Sequence, residues 1–330
     1  MRPQLLTQTL KDLINLNRAV LITGSPGGGK TSLVRQVAKD LDRHYIEQHL
    51  PTMLVEDFGV PYPDGDTLSY KLPKWYPAKG SQWDDGRGGV LCFDDRNQGD
   101  NNLQKVLANI IEARTLHGVP MADGWSVVST GNRQQDRAGS NRVLSHLANR
   151  ETMLPFDTHL DDWTAWALDN EVTPELVSFI RFRPNLLHDF DPQRDQNPTP
   201  RSWVSGVASV IGNVPSEAEY ECFCGAVGEG AAAEFTGFLK IFRKLPNPDA
   251  VLLNPDSAQV PEDPATLYAL SGALAHRASE SNFDRLVRYL ERLPKEFSVL
   301  TVSQAIKRNP DVTNSTAFVQ WSVANQEVLF

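Results

Sequence analysis

One octapeptide constrains this chain more than any other stretch: Gly24-Ser25-Pro26-Gly27-Gly28-Gly29-Lys30-Thr31. It follows an apolar run at residues 19–23 and precedes a pattern that sets Leu33, Val34, Val37, Ala38 and Leu41 on one helical face, so it reads as a strand, a tight loop and a helix. Glycines let consecutive backbone N–H groups turn toward one anion, and the helix start adds unpaired N–H groups and the positive end of its dipole. Lys30 has the reach of a point charge for β- and γ-phosphates, and the Thr31 hydroxyl suits Mg2+, a hard cation that takes oxygen ligands. Gly24, Pro26, Gly27, Gly28, Gly29, Lys30, Thr31 and Ser32 are therefore the candidate phosphate-binding residues.

A second strand-like run, Val90-Leu91-Cys92-Phe93, ends in two carboxylates, Asp94 and Asp95. In that position Asp94 would serve a nucleotide-bound Mg2+ and Asp95 would polarise an attacking water. Further apolar runs at residues 44–46, 127–130 and 152–154 alternate with helical patterns at 4–17 and 103–111. This rhythm predicts an α/β fold with a mostly parallel sheet flanked by helices. Segments 56–80 and 113–125 break it with Pro, Gly and Asp-Gly turn signals and read as hairpin insertions. The proline-rich stretch 188–201 marks a junction, dividing the chain into a core at 1–190 and a largely helical region at 191–330.

Composition narrows the compartment and the partners. The 330 residues carry a net charge of -9, opposite to the broad positive field that holds nucleic acid. Three cysteines, one inside an apolar run and two in C-x-C spacing without further ligands nearby, offer neither a disulfide framework nor a metal cage. No apolar stretch approaches the length of a membrane span, and residues 1–20 lack a signal-peptide core. A cytoplasmic protein without membrane insertion is the expectation.

Taken in order, GSPGGGKT, VLCFDD, VVSTGN, LANRE and TPRSW resemble the AAA+ ATPases, and within them the MoxR-type branch that includes the NorQ- and CbbQ-like proteins. The resemblance covers most of residues 17–205. It implies an AAA+ P-loop core followed by a smaller helical lid, with ATP and Mg2+ as ligands. Asn132 falls where the family has its sensor 1 residue, orienting the lytic water beside Asp95, although a turn cap after a buried strand would also use it. Arg150 falls at the trans-acting arginine finger, with Arg137 and Arg142 as competitors. Arg201 falls at the sensor 2 arginine of the lid, where a helix-surface salt bridge is the alternative. The family's second carboxylate is usually Glu, whereas here it is Asp95, roughly 1.5 Å shorter.

The resemblance implies a ring-shaped homo-oligomer, a hexamer, that couples ATP hydrolysis to remodelling or activating a protein partner, with a von Willebrand factor A domain protein as the adaptor. Tyr70, Trp75 and Tyr76 with Lys71, Lys74 and Lys79 could grip such a partner or stack on nucleic acid, or the aromatics could pack on their own sheet. Trp163, Trp166 and Trp203 read as packing residues. Two other functions compete: a nucleotide-controlled scaffold with little turnover, suggested by Asp95, and a nucleic-acid motor, disfavoured by the charge.

Overall fold

The computed structural model describes residues 1–133, 136, 149–243, 245 and 247–325; Arg137 and Arg142 lie outside them. The chain divides into two compact units, Met1–His159 with Phe190–Gln193, and Leu160–Asp189 with Arg194–Phe330.

The first unit opens with helix α1 (Pro3–Asn15), which buries Leu6, Leu10 and Ile14. Strand β1 (Val20–Gly24) leads through the glycine loop into α2 (Lys30–Asp40), then β2 (His44–His49). A hairpin, β3 (Val60–Asp64) and β4 (Thr67–Lys71), precedes β5 (Gly89–Asp94) and α3 (Asn101–Glu112). A shorter hairpin, β6 (Thr115–Leu116) and β7 (Val119–Pro120), precedes β8 (Trp125–Asn132), and β9 (Thr152–Pro155) closes the unit. Strands β2, β5, β8, β1 and β9 form one sheet in that order, and every pairing is parallel. Both faces are covered, which is why Val90–Phe93 and Val127–Thr130 read as unbroken buried runs rather than as alternating ones.

This order has a functional consequence. β5, β8 and β1 are neighbours running the same way, so the chain leaves all three at one edge. Gly24 pairs in register with Asn132, and His49 with Asp94. The carboxyl ends of parallel strands form the crevice where open α/β sheets bind ligands.

The two hairpins lean on each other. Tyr70 of β4 stacks flat on His117, with ring centroids 3.8 Å apart, and His117 and Gly118 take the two positive-φ positions of the tight turn. Tyr76 is buried and donates its hydroxyl to the Val119 carbonyl at 3.0 Å, so it belongs to the core and not to a gripping surface. Trp75 is half-buried, set edge-on to Phe58 and Phe93. Leu68, Tyr70, Lys71, Lys74 and Lys79 remain exposed.

The second unit is helical. Leu160–Asp169 and Pro174–Phe182 belong to it because Trp163, Leu176 and Phe179 bury against Trp203, Phe223 and Phe235, an aromatic cluster that begins well ahead of the proline-rich stretch. Its later helices bury Leu270, Leu274, Phe283, Leu286, Tyr289 and Phe297. Trp163 and Trp203 are core residues, while Trp166 is exposed. Among the described residues no helix is long and apolar enough to cross a membrane.

Candidate functional site

The glycine loop wraps the start of α2. Gly29 caps that helix at φ +102°, a left-handed conformation that side chains avoid, and it brings the first N–H groups of α2 to the loop's concave side. Lys30 is buried at the first helical position. Its ammonium donates to the carbonyls of Gly24 and Ser25 and to Asn132 Oδ1, each at 3.0 Å. An incoming phosphate would offer the same three protons an anionic acceptor in place of three neutral oxygens.

Asp94 ends β5 as a hydrogen-bond acceptor for two hydroxyls. Thr31 donates to its Oδ1, and so does Thr130 at 2.5 Å; the His49 imidazole Nδ1 lies 3.5 Å from Oδ2. Burial pushes the Asp94 carboxyl up, but the hydroxyls of Thr130 and Thr31 and the nearby His49 more than reverse this, and its pKa lies below the usual carboxylate value. It is therefore an anion at neutral pH, next to a hydroxyl, which is a hard-oxygen set fitting Mg2+. Ligand atoms of His49, Asp94 and Asp95 also lie within 4.8 Å of one another.

Asp95 leaves the strand at φ +48°, a conformation that Asp tolerates better than most residues. Its N–H donates to Thr130 Oγ1 at 3.1 Å, and its Oδ1 accepts from Asn132 Nδ2 at a long 3.4 Å. Asn132 is clamped through its backbone: Asn97 Nδ2 donates to its carbonyl at 2.6 Å, and its N–H donates to Asn97 Oδ1 at 3.1 Å. Gly131 makes room for that clamp, because a Cβ there would stand 2.8 Å from Asn97 Oδ1. One amide thus spans from the Lys30 ammonium to the Asp95 carboxylate.

Beside the loop, Arg133 donates to Ser25 Oγ and, through Nε, to Asp136 at 3.1 Å, while Ser25 donates to Asp136 at 3.1 Å. Directly after Asp95, Arg96 forms a two-pronged ion pair with Glu151, at 2.5 and 2.6 Å.

The structure thus brings together Gly24–Ser32, Asp94, Asp95 and Asn132. Arg150 stands on the surface of the same unit, one third exposed, with Glu112 at the end of α3 as its ion partner at 3.1 Å. Arg201 belongs to the second unit, exposed, just before a π-helical turn at Ser202–Ala208. Sequence reasoning missed four members of the site. Thr130 lies at the end of the run 127–130, and only the register of β5 against β8, with Phe93 opposite Ser129, sets it beside Asp94; His49, Asn97 and Arg133 carry no signal separable from ordinary polar residues.

Residues 19–150 match the AAA domain of the dynein-related subfamily. The first unit has the AAA+ P-loop fold, a parallel sheet of five strands flanked by helices, and a helical region follows it. Among solved structures, a RuvB mutant of Thermotoga maritima is similar at 16% identity over 82% of this chain and 79% of that one, with a TM-score of 0.40. A candidate ATPase of Cytophaga hutchinsonii is similar at 15% identity over 92% and 80%, with a TM-score of 0.37. NtrX of Brucella abortus in complex with ADP is similar at 15% identity over 71% and 65%, with a TM-score of 0.35. Likenesses this distant carry no argument beside the residues themselves. No curated protein matches the chain.

Proposed function

We propose that this chain is a Mg2+-dependent ATPase of the MoxR type, in the NorQ/CbbQ-like branch. It works in the cytoplasm as a ring, a hexamer, that remodels or activates a protein partner through a von Willebrand factor A domain protein. The observation that carries the reading is the Asn132 amide held between Lys30 Nζ and Asp95 Oδ1, directly beside the Thr31–Asp94 contact.

The mechanism follows from those atoms. The N–H groups of Gly27–Thr31 and the Lys30 ammonium hold the β- and γ-phosphates of ATP. Thr31 and Asp94 would hold Mg2+, which neutralises charge on the phosphate oxygens when bound. The Asn132 amide fixes the attacking water and Asp95 accepts its proton, so that in-line attack on the γ-phosphorus releases ADP and phosphate. The resemblance adds two arginines to these atoms: Arg150 of a neighbouring subunit would supply positive charge to the transition state, and Arg201 is the candidate sensor 2 residue.

ATP turnover per subunit, measured across protein concentrations for wild type and Arg150→Ala, tests this. Turnover that climbs with concentration and collapses in the variant is expected; turnover independent of both would overturn the shared site. One observation favours a second reading, a nucleotide-gated scaffold: Asp95 is a methylene shorter than Glu, and about 1 Å of misplacement can cost a hundredfold in rate. Tight Mg·ATP binding with negligible turnover at every concentration would select it.

A further inference from the structure

The Arg96–Glu151 pair has no part in the mechanism above, yet it is the most completely buried charge pair among the described residues, with side chains 0% and 1% exposed. Removing both ions from water is costly, and a well-packed apolar pair often stabilises a fold as well or better. The pair is not even fully satisfied, because Arg96 Nε has no hydrogen-bond partner among the described residues. What two parallel N–H···O bonds do provide is a fixed distance and a fixed orientation.

The segments joined by it are the notable ones. Arg96 opens the turn Arg96–Gln98 directly after Asp95, and the next residue of that turn, Asn97, clamps the Asn132 backbone. Glu151 precedes β9, which is anchored to β1 from Thr152 onward. Immediately before Glu151 stands Arg150, whose own side chain has a surface ion pair with Glu112, a weak restraint in water. Arg150 is thus joined by one peptide bond to a residue whose carboxylate is held in the interior by Arg96.

We propose that Arg96 and Glu151 are positioning residues that hold Arg150 in register with the turn carrying this subunit's own Asp95 and Asn97. The inference rests on the ring reading, in which Arg150 serves the neighbour's site. An arginine presented to the next subunit is then mechanically tied to the carboxylate of its own.

Subunit mixing tests this. The double variant Arg96→Met/Glu151→Leu replaces the pair by apolar side chains; a folded variant is confirmed by its melting curve, and Glu151→Gln serves in its place where the double variant does not fold. Alone, the variant is expected to bind fluorescent ADP as wild type does but to lose about 10- to 100-fold in turnover. Mixed with Lys30→Ala subunits, which have a dead phosphate site but an intact Arg150, it should regain turnover, because its own sites then receive a well-placed arginine.

Arg150→Ala mixed with Lys30→Ala is the control. If the control recovers and the pair variant does not, the pair acts only within its own site or on folding, and the proposal is overturned. If the control itself fails to recover, the shared-site reading falls, and this proposal with it.

Discussion

Thr130 and Asp94 are joined by a hydroxyl-to-carboxylate hydrogen bond of 2.5 Å across neighbouring strands. The same hydroxyl oxygen accepts the N–H of Asp95. A single side chain on β8 thus sets both carboxylates at the end of β5. With Thr31 and His49 it helps hold the Asp94 pKa down, and it lets Asp95 turn out of the strand without orphaning its backbone.

Thr130→Val keeps the shape and removes both bonds. The lost acceptor for the Asp95 N–H should destabilise the fold by about 1–3 kcal/mol at neutral pH. A second effect depends on pH. Because the folded-state pKa of Asp94 is depressed, its contribution is present above the unfolded value of about 3.9 and fades as pH falls through the folded pKa. The difference in melting temperature between wild type and variant should therefore be steady from pH 7 to about pH 5 and shrink below about pH 4. A difference that grows on acidification would contradict the depressed pKa.

Lys30→Ala tests the phosphate loop directly. Wild type should gain about 2.7 kcal/mol from Mg·ATP supplied at a hundred times its Kd, since only the folded state binds. The variant loses the ammonium that now bonds Gly24, Ser25 and Asn132, and thermal scans with and without Mg·ATP should coincide for it. A remaining nucleotide-dependent shift would place the phosphates elsewhere.

Gly131→Ala probes the clamp on Asn132. Its new Cβ would stand 2.8 Å from Asn97 Oδ1, so Asn97 must move and release the Asn132 backbone. Overpacking of this kind costs about 1–3 kcal/mol. Nucleotide affinity should hold, since Lys30 keeps its bonds to the Gly24 and Ser25 carbonyls, while turnover falls by about a hundredfold as the amide proposed to orient the water drifts. Equal losses in affinity and turnover would mean that Asn132 shapes the phosphate loop instead.

The inner strands were legible in the sequence because burial on both faces leaves Val90–Phe93 and Val127–Val128 as apolar runs, whereas the edge strands β2 and β9 are only partly buried and read less clearly. The phosphate loop was legible because its chemistry is consecutive. Contacts made by tertiary approach were not. Arg96 and Glu151 are 55 residues apart, and nothing local distinguishes either from surface charge. Tyr76 looked as available as Tyr70, since both lie in the same aromatic and basic stretch; only the fold of 113–125 onto that stretch separates a buried hydroxyl from a ring left on the surface. Arg150 and Arg201 were singled out by resemblance alone.

Asp95→Glu and Asp95→Asn together test the role proposed for the second carboxylate. The Asn variant keeps the size and the left-handed backbone preference but cannot accept a proton, so it should bind Mg·ATP and hydrolyse it at under about a hundredth of the wild-type rate. The Glu variant has two opposing effects. It extends the carboxylate by roughly 1.5 Å toward the phosphates, yet it puts a less tolerant residue at φ +48°, at a cost of about 1 kcal/mol in backbone strain. If reach limits hydrolysis, turnover should rise several-fold while the melting temperature falls by a few degrees. If turnover falls along with stability, the positive-φ turn already delivers the shorter side chain to the water, and Asp95 is matched to its backbone.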